Sequence, residues 1–242
     1  DDGPRFHHVV QYLDLKNPSL KNYTGFGLIG FCCDEGVKRN QGRSGASEGP
    51  SAIRRVLANL PYPNQTKFYD AGDIVSKDLS LEDSQKSLAE AVAILIKKGL
   101  FPIVIGGGHE LAWGHFQGVQ KAYPQQNISI INFDAHLDLR SPLDQQKGTS
   151  GSSFFQIAQT CQIHHEPFDY TCIGFIPTAN TTTLVEFAQK LNVKIISAED
   201  LYSVSSETSL QDILENGGKI YLSICMDVFA APFEIGRASC RE

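Results

Sequence analysis

Five residues in three short segments have the types and spacing that hold metal ions. His109 follows Gly106, Gly107 and Gly108. Asp134, His136 and Asp138 lie in the run NFDAHLD at Asn132 to Asp138, and Asp227 follows the apolar run Ile220 to Met226. Each segment comes after a strand-like run, and the ends of parallel strands lie within side-chain reach of one another. Within NFDAHLD, extended residues two apart project to one side and converge on a common centre. A capped strand-to-loop turn explains a single aspartate, and hydrogen bonding alone satisfies a single histidine. Three convergent ligands plus His109 exceed what capping requires. GGGHE taken alone is equally compatible with a plain tight turn into a helix.

Carboxylates mixed with imidazoles, without a thiolate cluster, suit a hard or intermediate cation such as manganese better than a structural zinc. A carboxylate has two oxygens and can bridge two ions. An ion pair about 3.5–4 Å apart holds water as hydroxide at neutral pH and delivers it to an electrophilic carbon. That chemistry is hydrolysis. The glycines before His109 suit close backbone approach, and a helix after it would point its positive end at a bound anion.

The elements that must position these residues alternate between strand and helix. Strands are expected at Phe26 to Phe31, Phe101 to Ile105, Ile128 to Phe133, Tyr170 to Phe175, Val193 to Ile196 and Ile220 to Met226. All are rich in β-branched or aromatic residues. Between them the spacing predicts helices over Gly49 to Leu60, Leu79 to Lys98, Glu110 to Ala122, Ser152 to Thr160, Thr181 to Leu191 and Ser206 to Glu215. Pro50 marks one helix start and Gly99 one helix stop. The alternation predicts an α/β fold with a mostly parallel sheet. Two polar stretches, Asp34 to Gly49 and Arg140 to Gly151, follow strands and are expected to be the ligand-bearing loops.

Composition narrows the function classes. With 242 residues, 41% of them apolar, and only 21 Gly and 11 Pro, the chain is expected to form one large globular domain. The formal charge is 21 − 27 = −6, with basic residues scattered, which disfavours a nucleic-acid partner. No apolar run approaches the roughly 18 residues of a membrane span, and Asp1, Asp2, Gly3 and Pro4 do not begin a signal peptide. A soluble, cytoplasmic protein is expected, with no membrane partner. Six cysteines without paired spacing argue against a disulfide framework or zinc finger.

GGGHE at Gly106 to Glu110, NFDAHLD at Asn132 to Asp138 and SICMD at Ser223 to Asp227, in that order, resemble the ureohydrolase family, the arginase and agmatinase group of dinuclear manganese amidinohydrolases. The resemblance implies a three-layer α/β/α arginase-like fold and two Mn2+ per chain. It makes His109 a ligand of one ion and His136 of the other, with Asp134 bridging, Asp138 completing the first site and Asp227 binding in the last motif. The family pattern there is Ser-x-Asp-x-Asp, and Cys225 stands where its first, bridging Asp belongs. A thiolate can bridge metals, so Cys225 is either a softer ligand or a buried structural cysteine.

The loop Gly36 to Arg54 and the run Gly148 to Ala158 look most like the formimidoylglutamase subgroup, which hydrolyses N-formimino-L-glutamate to L-glutamate and formamide in histidine breakdown. Arginases carry a proton-shuttling His shortly after Ser-Gly. Here Ser150-Gly151 is followed by Ser152, Ser153, Phe154 and Phe155, leaving Glu110 or bound water to carry protons. The two carboxylates of such a substrate need cationic or N–H partners. Arg43 and Ser150 are the first candidates, then Arg140 and the Lys38–Arg39 pair, with Asn180 and Thr181 as further hydrogen-bonding groups. The alternatives are an agmatinase or other guanidino hydrolase, and a non-catalytic protein that keeps the fold. A homo-oligomer is open.

The residues after Phe233 do not continue the family pattern. EIGRASCRE at positions 234–242 can be encoded by a widely used sequencing-library adapter. The expectation is an incomplete ureohydrolase domain over residues 1–233, a non-native tail over 234–242, and an apolar sheet edge left open beside Ile220 to Met226.

Overall fold

Two apolar runs, Phe26–Cys32 and Ile128–Phe133, each lie inside a four-stranded parallel sheet. The computed structural model describes residues 3–17, 22–62, 65–144, 146–202 and 218–229. The chain divides into two compact units: Asp1–Gly36 with Ser44–Tyr123, and Val37–Arg43 with Pro124–Glu242.

The first unit contains α1 (Phe6–Val9), β1 (Gln11–Tyr12), β2 (Phe26–Cys32), α3 (Gly49–Ala58), β3 (Phe68–Val75), α4 (Leu81–Lys97), β4 (Phe101–Ile105) and α5 (Leu111–Ala122). The short α2 (Glu35–Arg39) runs from the last residues of its first segment into the second unit. The sheet order is β1-β3-β2-β4, and every pairing is parallel. Strands buried on both faces need near-continuous apolar sequence, and β2 supplies it with Leu28, Ile29 and Phe31 fully buried. Leu88, Val92 and Leu95 of α4 and Phe116 of α5 complete that core, each such side chain contributing about 1.5–3 kcal/mol. α4 starts two residues later than its periodicity predicts because Ser80 caps it, its hydroxyl oxygen accepting the Asp83 N–H at 3.0 Å.

The second unit contains β5 (Ile128–Phe133), α6 (Ser153–His164), β6 (Asp169–Phe175), α7 (Thr182–Lys190), β7 (Lys194–Ser197) and β8 (Lys219–Ile224). Its sheet order is β7-β6-β5-β8, again wholly parallel. In β8, Tyr221 and Ser223 are buried, whereas Ile220, Leu222 and Ile224 are 43%, 47% and 52% exposed. Among the described residues no helix is long and apolar enough to cross a membrane.

Two features depart from expectation. β3 was not anticipated, because Asp70, Gly72 and Asp73 interrupt its apolar run. The two aspartate carboxylates are engaged by Arg54 of α3, whose Nε meets Asp70 at 2.7 Å and whose Nη1 meets Asp73 at 2.6 Å. The polar stretch Asp34 to Gly49, expected to be irregular, folds in part as α2 and as a 3-10 turn at Ala46–Glu48. Both sheets are wholly parallel, in keeping with the expected α/β class. The helix predicted at Ser206 to Glu215 and the tail at 234–242 lie outside the described residues.

Candidate metal centre

The register of the second sheet brings the candidate ligands together. β5 pairs with β8 so that Phe133 faces Ile224, and the Cys225 N–H continues the ladder onto the Phe133 carbonyl at 2.8 Å. On the other side, the Asp134 N–H donates to the Ile173 carbonyl of β6 at 2.9 Å. Asp134, at the end of β5, therefore meets residues just beyond β8.

Asp134, His136 and Asp227 offer ligand atoms that lie within 4.8 Å of one another. Nδ1 of His136 is 2.9 Å from Asp227 Oδ2 and 3.6 Å from Asp134 Oδ1. The side chains of His136, Asp134 and Asp227 are only 12%, 1% and 5% exposed. Cys225 Sγ lies within 4.8 Å of an Asp134 carboxylate oxygen. Two carboxylates buried side by side with one imidazole make an oxygen-and-imidazole donor set that fits a hard or intermediate divalent ion. The donor set thus accepts the manganese that the motifs imply.

Hydrogen bonds orient both carboxylates. Asp134 Oδ1 accepts the His136 N–H at 2.8 Å, and its Oδ2 accepts Asn132 Nδ2 at 3.1 Å. Asp227 Oδ1 accepts the Ala135 N–H at 3.3 Å. Gly174, at φ +94°, lets the 3-10 turn Met226–Val228 that carries Asp227 come close to β6. A Cβ at Gly174 would lie 2.4 Å from Val228 Cγ2.

The backbone from Asp134 to Asp138 has no regular structure, and its polar groups find partners on neighbouring side chains. Tyr170, buried and stacked on Phe154 at 4.5 Å between ring centroids, donates its hydroxyl to the Leu137 carbonyl at 3.1 Å. Cys172, also buried, directs its thiol at the Asp134 and His136 carbonyls, 3.6 and 3.4 Å away. Burial, reinforced by neighbouring acidic groups, pushes both the Tyr170 hydroxyl and the Cys172 thiol well above their usual pKa. Asp138 is buried at φ +48° and is not part of the Asp134–His136–Asp227 cluster.

In the first unit, the GGGHE turn packs against the end of β2. The Gly108 N–H donates to the Cys33 carbonyl at 2.9 Å, and a Cβ on Gly107 would lie 2.0 Å from that same oxygen. Only glycine fits there. Glu110 is fully buried, with Oε1 accepting the Gly36 N–H at 2.8 Å and its carbonyl accepting Gln85 Nε2 at 2.7 Å. Its Oε2 is buried without a hydrogen-bond partner. Burial pushes the carboxyl up to about 7 against the opposing pull of the Gly36 N–H and of His109.

The expected substrate-binding residues fall in different settings. Ser150 is buried at the start of a 3-10 turn, Ser150–Ser152. Arg140 donates its backbone N–H to the Gly151 carbonyl at 2.9 Å. Arg39 reaches the Gly148 carbonyl at 3.1 Å through Nη1, and Arg43 is exposed. Asn180 lies in the loop after β6. Its amide is engaged by the backbone of the ligand-bearing loop, as are Tyr170 and Cys172, which the sequence did not single out. A hydroxyl and a thiol at inward positions two apart in an apolar strand were the only signal for the latter two.

A profile of the arginase family matches residues 24–236. The formimidoylglutamase of Clostridium tetani is 39% identical over 244 residues, covering 96% of this chain and 72% of the relative. That of Chromobacterium violaceum is 41% identical over 230 residues, covering 94% of this chain and 72% of the relative. A crystal structure of Trypanosoma cruzi formiminoglutamase with Mn2+ superposes with a TM-score of 0.73 at 27% identity, covering 83% of this chain and 69% of that one. The formimidoylglutamase from Bacillus subtilis superposes with a TM-score of 0.77, covering 93% of this chain and 71% of that one; at 20% identity this likeness bears on the fold alone.

Proposed function

The chain belongs to the arginase family and is a hydrolase of carbon–nitrogen bonds in linear amidines, and we propose that its reaction is the hydrolysis of N-formimino-L-glutamate to L-glutamate and formamide, a step of histidine breakdown. The observation that carries this reading is the Asp134–His136–Asp227 cluster, an oxygen-and-imidazole set at the ends of two adjacent parallel strands.

We assign the chain two manganese ions. Asp134, His136 and Asp227 would hold them, joined through the family motifs by His109, Asp138 and Cys225. When bound, manganese offsets the buried negative charge and makes water a nucleophile at neutral pH. In the reaction, water oxygen adds to the amidine carbon, the bond from that carbon to the glutamate nitrogen breaks, and that nitrogen takes up a proton. Asp134 and Asp227 are held in fixed orientation by backbone N–H groups, so little reorganisation is required of them. Glu110, with a pKa near 7, is suited to hold a proton at neutral pH. Arg43, Arg140 and Ser150 are assigned to the glutamate carboxylates, where guanidinium pairs give charge-assisted recognition.

The test is product analysis on the manganese-loaded chain. Equimolar formamide and glutamate from N-formimino-L-glutamate support the proposal. Turnover of agmatine but not of N-formimino-L-glutamate would move the chain to the guanidino hydrolases. No turnover with one manganese or none bound would support a non-catalytic role.

A further inference from the structure

Leu137 carries no metal-binding atom, yet its peptide groups are held from two sides. Its N–H donates to Asn180 Oδ1 at 3.1 Å, and its carbonyl accepts the Tyr170 hydroxyl at 3.1 Å. Leu137 lies directly between His136 and Asp138 and is fully buried. The same Asn180 amide donates through Nδ2 to the Ala135 carbonyl at 2.9 Å and to the Ile176 carbonyl at 3.0 Å. One side chain therefore binds the backbone on both sides of His136, accepting at residue 137 and donating at residue 135. Ile176, in the loop after β6, adds its own N–H to the Ala135 carbonyl at 3.1 Å.

An amide is required for this arrangement, because one end must accept and the other must donate. A carboxylate at position 180 would set an anion against two carbonyl oxygens. A hydroxyl could serve only part of the set. Tyr170 meets the opposite constraint: its ring is packed against Phe154, so its hydroxyl reaches Leu137 in a fixed direction.

We propose that Asn180 and Tyr170 are positioning residues that clamp the Leu137 peptide and so set the backbone from which Asp134 and His136 present their ligand atoms. Asn180 acts on the loop, not on the substrate. The inference rests on the reading of Asp134 and His136 as manganese ligands. Outer partners that fix a ligand's orientation typically change metal affinity by about 10–100-fold when removed, and the clamp belongs to that class.

The experiment measures manganese binding by the full chain and by Asn180→Asp, Asn180→Ser and Tyr170→Phe, with amide hydrogen exchange at Leu137 followed in parallel. Tyr170→Phe removes one oxygen, which also accepts Asn132 Nδ2 at 3.2 Å, and preserves the packed ring, so with exchange at Leu137 followed in parallel it reports on the clamp even where the Asn180 variants fail to fold. The expected result is manganese binding weaker by about 10-fold or more in Tyr170→Phe and weaker still in Asn180→Asp. The Leu137 amide should be protected in the unaltered chain and exchange faster in the Asn180 variants. At saturating manganese, the KM for N-formimino-L-glutamate should change little. Unchanged manganese affinity in Tyr170→Phe, or a raised KM with unchanged manganese affinity in Asn180→Ser, would overturn the clamp. Absence of manganese binding by the unaltered chain would instead sink the metal-centre reading on which it rests.

Discussion

Nδ1 of His136 lies 2.9 Å from Oδ2 of Asp227, although 91 residues separate them in the chain. The contact exists because β5 and β8 pair in parallel and end together, so that two loops with no local relation in sequence share one small volume. Each carboxylate in that volume also accepts a backbone N–H, so loss of either side chain removes a candidate ligand together with that N–H's acceptor.

Asp134→Ala and His136→Ala should abolish hydrolysis, with loss well beyond the roughly 100-fold upper range typical of outer partners, while the circular dichroism of the folded chain is retained. Each removes a ligand and little core volume. Activity near that of the unaltered chain in either variant would refute the assignment.

Cys225 distinguishes ligand from packing. If its thiolate binds metal, Cys225→Ala should lose at least one manganese and Cys225→Asp should keep both, since a carboxylate restores the common family donor. Metal analysis of the two proteins decides, and two ions retained by Cys225→Ala would end the ligand reading.

Arg43→Ala should mainly raise the KM for a dianionic substrate. A charge-assisted contact contributes about 1.5–3 kcal/mol, which corresponds to roughly 10–100-fold. Steady-state kinetics showing a pure fall in kcat would make Arg43 catalytic or structural instead.

His115 on α5 gives a pH dependence of known sign. Burial holds its pKa down at about 4, below the ordinary 6.5, so the folded protein keeps the imidazole neutral where the unfolded chain takes a proton. Its contribution to stability is present above about 6.5 and is lost as pH falls towards 4, by roughly 3 kcal/mol at most. Glu110, raised to about 7, runs the other way: its contribution declines as pH rises from about 4.5 to 7. Denaturant unfolding of the chelator-treated chain and of His115→Gln isolates the histidine, because Glu110 is common to both. Parallel stability curves between pH 4 and 6.5 would refute this prediction.

What could be read from the sequence was whatever local pattern controls. Phe101–Ile105 and Ile128–Phe133 form strands over the ranges their apolar runs predict; β5 is buried along nearly its whole length and so must be apolar throughout, whereas β4 ends its sheet and leaves Phe101 62% exposed. β3 escaped notice because Asp70 and Asp73 look like loop residues until Arg54 is seen to pair with them. The same limit applies at the site. Asp134, His136 and Asp227 were named from spacing and strand ends, whereas the orientation of the Asn180 amide depends on where β6 places the next loop. No pattern in the residues around Asn180 encodes that.

Cys172 has a consequence for how the protein can be studied. Its thiol is shut beneath the Asp134 and His136 carbonyls, with no exposed surface, so a reagent reaches it only when that stretch of backbone lifts away. The rate of its alkylation is thus a stopwatch for the opening of the loop, independent of turnover. Any ion or molecule that ties down Asp134 and His136 should slow the stopwatch in proportion to how tightly it binds.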